Sequence, residues 1–98
     1  MYAKQKVRHY QIELGDVSPT VVLSDFGDEV DFGVSFTVQN IDTSATVYIG
    51  DSSVSSSNFG MRLAPGAVAT FEDMPRYPEI YAISDTADSK IAVMRISK

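Results

Sequence analysis

Side chains that alternate between apolar and polar set the limits for this chain. Phe32, Val34, Phe36 and Val38 fall on one side of an extended segment, and Gly33, Ser35, Thr37 and Gln39 on the other. That period of two belongs to a strand with one dry face. The run stops at Asn40, and Ile41-Asp42-Thr43-Ser44 reads as a turn before a strand at residues 45–49. Asp51, Ser52 and Ser53 after Gly50 close that strand, because such side chains bond nearby amides in competition with a ladder. Short strands are also predicted at residues 61–64, 67–72, 79–84 and 90–97. Pro65-Gly66 is a type II turn, with φ preset by proline and a positive φ accepted by glycine. Residues 20–23 form a further short strand behind Pro19.

Two places resist simple periodicity. Tyr10, Ile12 and Leu14 alternate as a strand, while Val7, Tyr10 and Leu14 would share a helix face; the flanking β-branched and turn residues favour the strand. Residues 73–78 hold two prolines around Arg76-Tyr77 and cannot be a central strand. In the last strand Ile91 and Val93 take one face, and Ala92, Met94 and Ile96 the other. Apolar residues on both faces point to a second sheet on one side and a neighbouring subunit on the other. Seven or eight short strands imply an all-β protein, an antiparallel β-sandwich of jelly-roll type, with an immunoglobulin-like sandwich as the alternative. The expected organisation is a single domain over residues 1–98, with residues 1–9 as a candidate extended N-terminal arm.

Composition narrows the function classes. The 98 residues contain no cysteine, so no disulfide reinforces a core of modest size, and association is the remaining source of extra stability. Eight basic residues against thirteen acidic ones give a net charge of −5, which disfavours a nucleic-acid partner. No window is apolar for long enough to span a membrane, and the basic N-terminus has no apolar stretch behind it of the kind a secretion signal needs.

Reactive constellations are thin. His9 is the lone histidine, a poor start for a nucleophilic triad. Asp25, Asp28, Glu29 and Asp31 form the densest acidic run, but the spacing fails the calcium-loop order, so it reads as a solvated turn and no metal site is expected. Glu72 and Asp73 are adjacent, so on a strand they point apart and make a poor glycosidase pair. Gly50, Gly60 and Gly66 are single turn glycines rather than a phosphate cradle, and no cofactor site is visible. Residues 52–60 hold five serines, with Val54 and Phe59 as the apolar anchors of an exposed loop. Tyr48, Tyr77 and Tyr81 could stack on sugars or bases, although strand tyrosines more often pack with the hydroxyl at the rim.

One pattern extends further. Val47-Tyr48-Ile49-Gly50-Asp51 is followed by Val54-Ser55, Asn58, Gly60, Leu63 and Pro65-Gly66. Downstream come Ile80-Tyr81-Ala82-Ile83-Ser84 and Lys90-Ile91-Ala92-Val93. In this order they resemble small β-sandwich proteins of tailed bacteriophages: capsid decoration (cement) proteins, head-fibre bases and tail-fibre modules. The resemblance runs from Phe32 to Lys98; the segment through Val30 has no match. It implies a non-enzymatic virion protein, made in the bacterial cytoplasm and seated on the outer capsid surface. There it would form a homotrimer that clamps the major capsid protein lattice. The contact residues expected from exposure and chain-end position are Tyr2, Lys4, Lys6 and Arg8 of the arm, with Met74, Arg76 and Tyr77. The alternative is a fibre module that binds host-surface glycan through the Ser-rich loop and tyrosines. A third class, a hydrolase of cell-wall sugar, would rest on Glu72 and Asp73.

Overall fold

A computed structural model describes residues 6–23, 34–74 and 80–97. Eight strands follow one another: β1 (Lys6–Leu14), β2 (Thr20–Leu23), β3 (Val34–Asn40), β4 (Val47–Gly50), β5 (Met61–Leu63), β6 (Val68–Met74), β7 (Ile80–Ser84) and β8 (Ser89–Ser97). They form two four-stranded sheets, ordered β1-β8-β3-β6 and β2-β7-β4-β5. Every ladder is antiparallel.

The pairing is nested. The first strand lies against the last, β2 against β7, β3 against β6 and β4 against β5. A long antiparallel ribbon folded in this way, then closed by the β3–β8 and β4–β7 ladders, is a jelly roll. An immunoglobulin-like sandwich keeps its first two strands in one sheet. Here β1 and β2 lie in different sheets, so that alternative is excluded.

Inward-facing side chains fill the space between the sheets. Leu14, Phe36, Val38, Ala69, Ile91 and Val93 come from the first sheet; Val22, Val47, Ile49, Leu63 and Ala82 come from the second. Phe36 and Phe71, cross-strand neighbours on β3 and β6, stack with centroids 4.7 Å apart and planes 13° from parallel. Tyr10 leans across the seam between the sheets, and its hydroxyl donates to the Val22 carbonyl at 3.1 Å. Burial pushes its pKa up, with the nearby Arg95 charge opposing.

Beyond strand ends that move by a residue or two, sequence and structure differ at two places. Residues 6–9, expected within an extended arm, are in the sheet: Lys6 lies opposite Ser97 and His9 opposite Met94. β8 runs as far as Ser97 and supplies the ladder that the arm's charges obscure in the sequence. The fourth strand also starts at Val47 rather than residue 45. The Ala45 amide bonds Asp42 and the Thr46 amide bonds Asp85, so loop contacts hold both residues.

Asn40 ends β3 with its side chain wholly buried. Its Nδ2 donates to the carbonyls of Ala45 at 2.8 Å and Leu63 at 3.0 Å, and its Oδ1 accepts from the Asp42 amide at 3.0 Å. Its main chain bonds Ala67 and Gly66. β3 belongs to one sheet and Leu63 to the other, so this amide ties the sheets together. At the adjoining turn Gly66 has φ +82° and the Ala67 amide bonds the Ala64 carbonyl, as Pro65-Gly66 requires.

Asn40→Leu strands two buried carbonyls and an amide, and is expected to destabilise the fold by about 2–4 kcal/mol in a denaturant melt. Asn40→Asp can donate only while protonated, which raises its folded pKa. Its stability should therefore fall relative to wild type as the pH rises above about 4, where the unfolded carboxyl ionises. A pH-independent deficit would contradict the assigned hydrogen bonds.

Candidate partner-binding surface

Alternation along the first sheet leaves an outer face that can be read row by row. Val7 and Ile96 lie beside Ser35; His9 and Met94 beside Thr37 and Thr70; Gln11 and Ala92 beside Gln39 and Val68. The residues named in these rows carry no formal charge, and the Val7–Ile96–Ser35 row meets β6 at the bulge that holds Glu72 and Asp73. The charges begin at the margins, with the cross-strand pair Glu13–Lys90 at one end and exposed Glu72 on β6. Several apolar members stand in solvent: Val7 is 57% exposed, Val68 53% and Met94 43%. A shallow depression of about 500 Å³ crosses the face between His9, Gln11, Thr37, Gln39 and Met94. An uncharged, partly apolar sheet face on a chain of net charge −5 is suited to another protein surface.

The outer face of the second sheet is partly covered by the chain itself. The serine-rich loop after β4 folds back, so that Val54 is buried and sits over Gly50, where an added Cβ would lie 3.3 Å from the valine side chain. Phe59 packs on Tyr48 at 5.0 Å between centroids. Val54 and Phe59 are thus the anchors the sequence indicated. Asp51 holds the loop's first turn by accepting from the Ser53 amide and hydroxyl, and Asn58 donates to Ser53. A cup of about 240 Å³ opens between Asp51, Asn58, Phe59 and the two flanking glycines.

Of the expected contact residues, Tyr2, Lys4, Arg76 and Tyr77 lie outside the described residues, as does the acidic run from Asp25 to Asp31. Lys6 and Arg8 open β1, and Met74 closes β6. Lys6 pairs with Ser97, Ser97 with Val34, and Val34 with Met74, so Lys6 and Met74 occupy one row at the same end of the sheet. Three strand spacings separate them, roughly 14 Å. The outer-face residues Val7, His9 and Val68 were missed, although alternation on β8 flagged Ala92, Met94 and Ile96.

For catalytic chemistry the surroundings are sparse. His9 is exposed on an edge strand, and its row holds Met94 and two threonines but no carboxylate. Among the described residues no group of His, Asp or Glu is placed to hold a metal ion, and no helix is long and apolar enough to cross a membrane.

No protein-family model and no curated protein matches the chain. Its fold is similar to a solved structure of Bacillus endospore appendages, described as a novel family of disulfide-linked pili. The TM-score is 0.61 at 14% identity, over 95% of this chain and 84% of that one. At that identity the likeness is one of fold. These 98 residues have no cysteine, so the disulfide linkage of those pili has no counterpart within them.

Two exposed carboxylates report on the loops. Amide donation from Ser44, then Ala45, lowers the Asp42 pKa; the Ser53 hydroxyl, then its amide, lowers that of Asp51. Folded values below the unfolded one mean that this stabilisation is present above about pH 4 and is lost as the pH falls through the depressed values. In an NMR titration the Ser44 and Ser53 amides should shift with midpoints below the ordinary aspartate value. Midpoints at or above that value would contradict the turns.

Proposed function

We propose that this chain is a non-enzymatic capsid decoration protein of a tailed bacteriophage, docking on the major capsid protein lattice from the outer capsid surface. The observation that carries the reading is the uncharged outer face of the β1-β8-β3-β6 sheet, with Val7, Val68 and Met94 in solvent. Such a face needs a protein partner rather than a small molecule, and it lies on a rigid jelly roll of the kind the sequence resemblance implies. A homotrimer on a local three-fold would multiply weak contacts through effective concentration.

Copy number tests this reading. Quantitative mass spectrometry of purified virions should find this chain in fixed ratio to the major capsid protein, on the order of hundreds of copies, because only the shell repeats that often. A handful of copies would overturn it. Met94→Glu places a charge in the middle of the face, and should reduce capsid association at least about tenfold while leaving the melting temperature within a few degrees.

A second reading has its own observation. Phe59, braced by Tyr48, borders a cup with Asp51 and Asn58, and an aromatic platform beside hydrogen-bonding groups suits a sugar ring. A fibre module binding host-surface glycan would use that cup. Phe59→Ala should then abolish binding on a glycan array, and an array without hits removes the reading. Filament formation like that of the pilus neighbour would rest on contacts other than disulfides within these residues.

A further inference from the structure

Four strands stand at sheet edges: β1 and β6 in one sheet, β2 and β5 in the other. Three are short, flanked by proline or irregular in register, features that keep edges from pairing. β5 has three residues and is followed closely by Pro65. β2 has four, begins behind Pro19 and shifts register between Val21 and Leu23. β6 lies opposite a register shift between Val34 and Phe36, and carries Glu72 and Asp73. β1 carries the charged residues Lys6, Arg8 and Glu13, but has neither shortness, proline nor irregularity. Its nine residues pair without a break against β8, and among the described residues nothing pairs with its other side. Every second residue there presents a free amide and carbonyl to an incoming strand.

We propose that β1 pairs antiparallel with β1 of a second copy of this chain, joining two four-stranded sheets into one of eight strands. A two-fold axis normal to the sheet sets residues of the same face opposite one another, and charge selects its position. Centred on Gln11, the axis places His9 opposite the second copy's Glu13 within the ladder, and brings Lys6 to the strand end that leads into its Asp16, two residues past Leu14, each twice by symmetry. Tyr10 then meets Ile12, and Arg8 meets Leu14. Centred on Tyr10, the axis sets Val7 against Glu13 and Lys6 against Leu14, with no charges matched. Centred on Ile12, it matches Arg8 with Asp16 alone. The Gln11 register is therefore the self-complementary one. His9, Glu13 and Asp16 are all exposed, so these contacts need no repacking of the domain. The contact uses a strand edge rather than a sheet face, and it stands independently of the capsid reading. Its two-fold symmetry also differs from the three-fold of the trimer.

A charge swap tests the register. In sedimentation equilibrium the wild-type chain should reach the mass of two chains. Glu13→Lys with Asp16→Lys removes both acids and sets a positive charge against Lys6 in a homodimer, while Lys6→Glu with His9→Glu sets negative charges against Glu13 and Asp16. Each double variant alone should self-associate at least about tenfold more weakly, since every matched pair is lost or made repulsive. The two variants mixed should regain a one-to-one dimer, an outcome that misfolding of either would not give. A single-chain mass for wild type at the highest concentration reached would overturn the proposal. So would a three-chain mass unaltered by the variants, or a mixture that fails to recover the dimer.

Discussion

The buried amide of Asn40 is the interaction on which this end of the jelly roll depends. The chain passes from one sheet to the other between β3 and β4, and each crossing takes backbone polar groups away from a ladder. Asn40 meets that demand with both amide protons and its carbonyl oxygen, reaching β5 of the opposite sheet. A fully satisfied buried amide specifies one arrangement because any other leaves groups unpaired in a low dielectric. The bonding continues outward from there. Asp42 holds Ser44 and Ala45, Asp85 holds Thr46, and Ser84 bonds Gly15 through its amide and Ser89 through its hydroxyl. Four connections at that end are joined directly in this way: those after β1, β3, β5 and β7.

Much of this was legible in the sequence, and the remainder was not for definite reasons. Phe36 and Val38 alternate with Thr37 and Gln39, so β3 could be read together with its faces. Pro65-Gly66 and the anchors Val54 and Phe59 were equally visible, since each acts through its immediate neighbours. Strand order was not visible, because pairing β1 with β8 depends on contacts across almost the whole chain. Asn40 reads in sequence as the residue that stops a strand. Its burial follows from where β5 and the turn at Gly66 arrive, which no local pattern records. β1 was ambiguous because Val7, Tyr10 and Leu14 suit a helix as well; the β8 ladder settles it.

The candidate surface follows from the same geometry. Strand alternation sends Ile91 and Val93 into the core and leaves Ala92, Met94 and Ile96 on the far side. Interior packing therefore does not account for the second apolar set, and the proposed partner would. Glu13, Lys90 and Glu72 stand at its margins, so covering the middle rows desolvates no formal charge. Long, regular β1 borders the same face, so sheet face and strand edge offer two adjacent modes of association. A capsid lattice and a second copy of the chain could be engaged together.

Met94 reports most directly on the central claim, that the outer face of the β1-β8-β3-β6 sheet is where a partner sits. Hydroxyl-radical footprinting of the free protein and of purified virions would give its oxidation rate in each, with Met61 of the other sheet as an internal reference. The account predicts at least about tenfold protection of Met94 in the virion, while Met61 stays reactive. Equal Met94 rates in the two states would contradict it.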